Sequence, residues 1–110
     1  MLEKDIEKAL VKKVKALGGL CIKFTSPSMM GIPDRIVLLP KGKLGFVELK
    51  RPGGKARPIQ VKRIKDLEKL GFKVFTLDEK ENIDEVIKAI GGDLYWSSIH
   101  IIIKAMLLSK

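Results

Sequence analysis

The chain has 110 residues, of which 45% are apolar and 32% charged. That is enough for one packed domain and excludes a second catalytic domain, a long repeat array or a disordered chain. Lysine and arginine number 22 against 13 acidic residues, a net charge of +9. The excess is uneven: residues 1–75 hold 18 basic and 7 acidic groups, residues 76–110 hold 4 and 6. Such density predicts attraction to polyanions, nucleic acid first, with an anionic membrane surface as the rival. Cys21 is the single cysteine, which excludes an intrachain disulfide and a thiolate-rich zinc site and suits a reducing compartment. MLEKDIEK at the start lacks the apolar run of a signal peptide, and no window reaches the roughly 18 apolar residues of a membrane span. The expectation is a soluble intracellular protein.

In residues 2–17, Leu2, Ile6, Leu10, Val14 and Leu17 recur every three or four positions before Gly18 and Gly19, which predicts an amphipathic helix with a glycine stop. Residues 20–24 (LCIKF) read as a strand and TSPSMMGIP as a loop. Residues 34–39 (DRIVLL) and 44–50 (LGFVELK) are two more strands joined by the tight PKGK turn. Both are apolar on each face, so the sheet is expected to be covered on both sides. Residues 51–58 (RPGGKARP) form a basic loop, and Pro58 suits the first turn of a helix running to about Leu70. Residues 72–77 (FKVFTL) are the fourth strand. Residues 82–90 form a last helix on Ile83, Val86, Ile87 and Ile90, stopped by Gly91 and Gly92. The order αβββαβα predicts an α/β fold with a mixed four-stranded sheet flanked by helices. Residues 1–92 are then the functional domain. Residues 93–110 are an apolar extension, either an extra core element or a dimerisation segment.

Within the hairpin, a turn centred near Lys41 makes paired positions sum to about 82, which puts Asp34 opposite Glu48. Like charges directly opposite destabilise a sheet by a few tenths to about 1 kcal/mol, a sign that a divalent metal would reverse. Alternation sends Glu48 and Lys50 to one face, so Asp34, Glu48 and Lys50 converge. Hard oxygen ligands with no histidine or cysteine nearby suit Mg²⁺. A register slip of one residue would undo this. The first helix offers a third carboxylate, Glu7 or alternatively Glu3, which extend its sheet-facing stripe. Both could instead be charges complementing the helix dipole.

PDR at 33–35 and ELK at 48–50, with the preceding helix, GGLCIKFTSPSMMGIPDRIVLLPKGKLGFVELKRPG and the downstream Gln60, resemble the VRR-NUC branch of the PD-(D/E)XK nucleases in its short stand-alone form from phages and bacteria. The resemblance covers roughly residues 3–90. It departs at Ser28, Met29 and Met30, where that family carries a glycine and more polar residues. It implies a restriction-endonuclease-like fold and a metal-dependent, structure-selective DNA endonuclease acting on branched DNA, including four-way (Holliday) junctions, as a homodimer. It also implies that Asp34, Glu48 and the backbone carbonyl of Leu49 bind Mg²⁺, or Mn²⁺ in its place, with Glu7 joining directly or through water. Lys50 would orient the attacking water or stabilise charge, and Gln60 would support Lys50 or a phosphate. No nucleotide cofactor is expected, and the location would be the cytoplasm, that of the host for a phage protein.

Lys41, Lys43, Lys50, Arg51, Lys55, Arg57, Lys62, Arg63 and Lys65 fall within 25 residues holding one acidic group, Glu48. This segment is expected to contact phosphate backbones by shape more than by sequence, with Lys23, Ser26 and Arg35 as secondary candidates. The four phenylalanines are expected in the core, which disfavours a base-stacking single-strand binder. His100 is read as structural and Cys21 as a buried small apolar group. Two rivals remain. One is a non-catalytic junction-binding protein of the same fold; the other is an RNA-binding or anionic-membrane module using only the basic surface.

Overall fold

Helix α1 (Glu3–Ala16) is the first element of the computed structural model, which describes residues 2–91 and 106–107. Its apolar stripe becomes three fully buried side chains, Ile6, Leu10 and Val14, spaced four apart and therefore on one face. Glu3 and Asp5 in its first turn and Lys13 and Lys15 in its last complement the helix dipole. Asp5 also accepts the Leu2 N–H at 3.3 Å, which ties down the helix start.

Strands β1 (Leu20–Lys23), β2 (Arg35–Leu39) and β3 (Lys43–Leu49) form an antiparallel meander. Helix α2 (Pro58–Lys69) then carries the chain to β4 (Val74–Leu77), which runs parallel to β3, and helix α3 (Ile83–Gly91) follows. The sheet order is β1-β2-β3-β4, so the αβββαβα order and the mixed sheet are as expected. Most strand boundaries move by one residue, and the fourth strand starts two residues later than expected. Phe72 and Lys73 precede it, and the Phe72 N–H returns to the Leu67 carbonyl at 3.1 Å and closes the end of α2.

The turn between β2 and β3 is a single 3-10 turn, Pro40–Gly42, in which Lys41 takes a left-handed φ of 68°. It fixes a register that runs from Leu39 opposite Lys43 to Arg35 opposite Val47. A side chain in that region costs about 1–2 kcal/mol, part of which glycine returns as unfolded-chain entropy. Lys41→Gly is therefore expected to raise the melting temperature by a few degrees without moving the register, as thermal denaturation and β3 amide exchange would report.

Alternation divides the sheet into two unlike faces. Val37, Leu39, Val47, Leu49 and Leu77 point to one side and form the core with α1 and with Ile83, Ile87 and Ile90 of α3. Gly45 permits this approach, since a Cβ there would lie 2.5 Å from Ile90. The other side differs from expectation. Among the described residues its one helix is α2, which lies against β4, and Leu20, Ile22 and Phe72 stay 61%, 43% and 44% exposed. A single 12-residue helix is too narrow to cover four strands. Of the phenylalanines assigned to the core, Phe46 is buried, Phe24 and Phe75 are half-buried, and Phe72 is exposed. Phe24, Phe46 and Phe72 form a row, with ring centroids 5.7 and 5.6 Å apart.

Cys21 packs half-buried against the core, and burial pushes its thiol pKa up. Apart from Met106 and Leu107, which are helical and exposed, the extension 93–110 with Tyr95, Trp96 and His100 lies outside the described residues. No described helix is long and apolar enough to cross a membrane.

Candidate active site

The β1–β2 ladder continues one step past its strands, because the Phe24 N–H donates to the Asp34 carbonyl at 2.9 Å. Extending the Arg35–Val47 register by one residue sets Asp34 across from Glu48, as the turn arithmetic required. The Leu49 N–H donates to Asp34 Oδ2 at 2.8 Å and holds that carboxylate at the end of β3. Glu48 is only 1% exposed. Its Oε2 is fully enclosed and has no hydrogen-bond partner.

A buried carboxylate in that state is costly when ionised. Burial raises the Glu48 pKa from 4.5 to about 8, the neighbouring Asp34 carboxyl adds to the rise, and Lys50 opposes it. This is the local signature of a place for a cation: a divalent ion would give Oε2 its missing partner and remove the repulsion from Asp34. Among the described residues no group of three or more His, Cys, Asp or Glu is gathered for a metal. An ion here would be held by Asp34 and Glu48 and would complete its shell with water, phosphate or backbone oxygen, which is the habit of Mg²⁺.

Lys50, just past β3, shares the face of Glu48, and its Nζ donates to Gln60 Oε1 at 2.8 Å. Gln60 is 6% exposed, and the same oxygen accepts the Arg57 N–H at 2.9 Å, capping α2. One side chain therefore both starts α2 and holds the lysine. The loop ahead of β2 is fastened to the same helix. Gly31 passes so close that a Cβ would sit 2.5 Å from the Ile59 carbonyl oxygen, and Arg63 Nε donates to the Met30 carbonyl at 3.0 Å.

Glu7 borders the same cleft as Asp34 and carries an ion pair there. Its Oε2 accepts Arg35 Nε at 2.9 Å, with the two side chains 24% and 15% exposed. Alternation explains this: Asp34 and Arg35 are adjacent and point to opposite faces, and α1 packs on the Arg35 face. A sheet-facing carboxylate on α1 therefore meets the guanidinium at the edge of the cleft that Asp34 opens onto. Glu3, one turn earlier and exposed, is the α1 carboxylate whose charge raises the Glu48 pKa.

Asp34 and Leu49 open onto a cleft of about 530 Å³ that is also lined by Glu3, Glu7, Lys23 and Thr25. Thr25 and Lys4, on the same wall, were not among the sequence candidates. Of the expected phosphate contacts, Lys23, Arg51, Lys55, Arg57, Lys62 and Lys65 are exposed. Ser26 is half-buried and lies 3.4 Å from the Ser28 hydroxyl. Lys41 and Lys43 sit at the hairpin turn, the end of the sheet remote from Asp34. Two arginines are already engaged: Arg35 holds Glu7 and the Cys21 carbonyl, and Arg63 holds Met30 and Asp66.

Two carboxylates opposed across a hairpin, a lysine two residues further on, and a mixed sheet backed by an N-terminal helix define a PD-(D/E)XK nuclease. No protein-family model matches the chain. A relative, "Putative nuclease p44" of Acyrthosiphon pisum secondary endosymbiont phage 1, is 43% identical over 88 residues, 80% of this chain and 94% of that protein. A solved structure described as a VRR_NUC domain matches with a TM-score of 0.73 at 32% identity, over 78% of this chain and 94% of its own. The chain belongs to the VRR-NUC nuclease family.

Proposed function

We propose that the protein is a Mg²⁺-dependent endonuclease that hydrolyses phosphodiester bonds in branched DNA such as four-way junctions. The observation that carries this reading is the partnerless, buried Glu48 Oε2 beside Asp34, with Lys50 fixed on the same face. When bound, the metal supplies an acidified water and relieves negative charge on the phosphate. Asp34 and Glu48 would hold it, together with the Leu49 carbonyl. Lys50, oriented by Gln60, directs its ammonium at the charge that develops on the phosphoryl oxygens. Mn²⁺ is the natural substitute. The exposed Lys23, Arg51, Lys55, Arg57 and Lys62 would meet the phosphates of the bound DNA. Residues 1–92 are the nuclease domain, and the cytoplasm, or that of a host, is where it would meet DNA.

A homodimer suits this substrate, because a four-way junction offers equivalent strands to two equivalent sites. The exposed Leu20, Ile22 and Phe72 on one sheet face support association, and the apolar run within 93–110 is a second candidate surface.

The test is cleavage of four-way, flap, nicked and linear substrates in a Mg²⁺ titration. Metal-dependent cutting that favours branched forms supports the reading. Tight junction binding with no cleavage at any metal concentration would replace it with the non-catalytic alternative.

The third carboxylate gives a sharper expectation. We assign the metal-side role to Glu3 and a structural role to Glu7. Glu7→Gln removes one partner of a mostly buried ion pair and should cost about 2 kcal/mol of stability in a denaturant titration. Glu3→Gln should cost at most about 0.5 kcal/mol, through the lost dipole contact, and raise the Mg²⁺ concentration needed for half-maximal cleavage several-fold.

A further inference from the structure

The basic residues considered so far lie on the α2 side of the sheet or at its ends, yet α1, on the opposite side, has a strongly charged surface of its own. At 100° per residue, Lys4, Lys8, Lys12 and Lys15 fall within an 80° arc of the helix. All four are exposed. The arc lies nearly opposite the buried Ile6, Leu10 and Val14, and no acidic side chain interrupts it. Among the described residues none of the four has an ion-pair partner. The acidic stretch 78–85 packs beside α1 and engages Lys13, through Asp84 at 2.6 Å, and among the described residues it forms no ion pair with the stripe. Four like charges in three turns repel one another, so the arrangement gains nothing for the isolated domain.

The stripe is also aimed. Lys4 lines the same cleft as Asp34 and Leu49, and the remaining lysines lead away from it along the helix. From Lys4 to Lys15 the axis rises roughly 16 Å, the length of about five base pairs of one strand. Exposed basic residues therefore lie on both sides of the sheet: Lys4, Lys8, Lys12 and Lys15 along α1 on one, and Arg51, Lys55, Arg57 and Lys62 in the loop before α2 and on α2 on the other. The sheet stands between them. A straight duplex can lie along one of these surfaces. Two duplex arms that diverge at the cleft can occupy both.

We infer that the α1 lysine stripe is a second phosphate-backbone track, and that it holds the second arm of a branched DNA whose first arm lies on the α2 side. This rests on the proposed function and supplies its selectivity: preference for a branch arises from two separated tracks and not from any reading of bases.

The test compares wild type, Lys8→Gln/Lys12→Gln and the charge-matched control Lys41→Gln/Lys73→Gln, whose residues are exposed and belong to neither track. Binding to a four-way junction and to a linear duplex of the same arm sequence is measured by fluorescence anisotropy in EDTA over a salt series, with melting temperature as the check on folding. Lys4 is left intact because it borders the cleft. Loss of the two stripe lysines should weaken junction binding about tenfold near 0.1 M salt and reduce the junction salt slope by about 2. Linear-duplex binding should stay within about twofold of wild type, and the control should bind the junction as wild type does. Equal weakening on both DNAs, or no weakening on either, overturns the second track. Cleavage by wild type with Mg²⁺, measured in parallel, keeps the two readings apart: no cleavage of any DNA removes the proposed function, whereas intact cleavage with an inert stripe removes only this inference.

Discussion

Metal-free Glu48→Gln protein is expected to melt at least about 4 °C above wild type at pH 8 and to lose cleavage by on the order of 10²–10³-fold. Both effects come from one carboxylate. In the unfolded chain Glu48 ionises near its ordinary 4.5, whereas in the fold burial and Asp34 hold it protonated up to about pH 8. Between those values the native state binds a proton that the unfolded state has released, so stability falls as pH rises through the window and levels off above it. Below about 4.5 both states are protonated and the group contributes nothing. Glutamine keeps the shape and removes the charge, so its melting temperature should lose this decline while matching wild type at pH 4. Mg²⁺ should act in the opposite direction on wild type alone, stabilising it more at pH 8 than at pH 5, because at low pH the ion must displace a proton. Calorimetry at four pH values with and without Mg²⁺ checks all of this. A wild-type melting temperature that stays flat from pH 4.5 to 8 would mean that Glu48 is solvated and that the cation site is misassigned.

The second large effect concerns Lys50 and the side chain that holds it. Lys50→Ala should reduce cleavage about 10²–10³-fold with little change in DNA binding, since its charge acts on the reacting phosphate. Lys50→Arg should not restore activity, because a planar fork cannot replace a compact ammonium. Gln60→Ala removes the acceptor of the 2.8 Å bond to Lys50 and the acceptor that caps α2. It should cost about 1 kcal/mol of stability through the lost cap and about tenfold in cleavage through the released lysine. The double mutant separates these effects. If Gln60 acts on the reaction through Lys50, Gln60→Ala should slow cleavage no further in the Lys50→Ala background, while its stability cost persists. Independent, multiplying losses in cleavage would instead place Gln60 on the substrate.

The acidic pair was readable because hairpin register is local. The PKGK turn and the period of two fixed Asp34 opposite Glu48 before any tertiary contact was known. Gln60 could be expected near Lys50, but its second duty, capping α2, follows from its position three residues after Arg57. Glu7 was harder. Its place on the stripe of Leu10 and Val14 correctly put it against the sheet, but Arg35 waits on that face, and the neighbouring positions 34 and 35 already implied as much. Arg63 could not be separated from the solvated arginines, because its partner, the Met30 carbonyl, lies 33 residues away.

Apolar spacing, glycine stops and the short turn were sufficient for the element order, the mixed sheet and the opposed carboxylates, since each depends on residues close in the chain. Which face α2 would leave bare, which carboxylate of α1 would meet an arginine, and which basic groups would be tied down all depended on packing between distant segments. Those outcomes are set by how the helices divide the two sides of the sheet, and periodicity alone carries no information about that division.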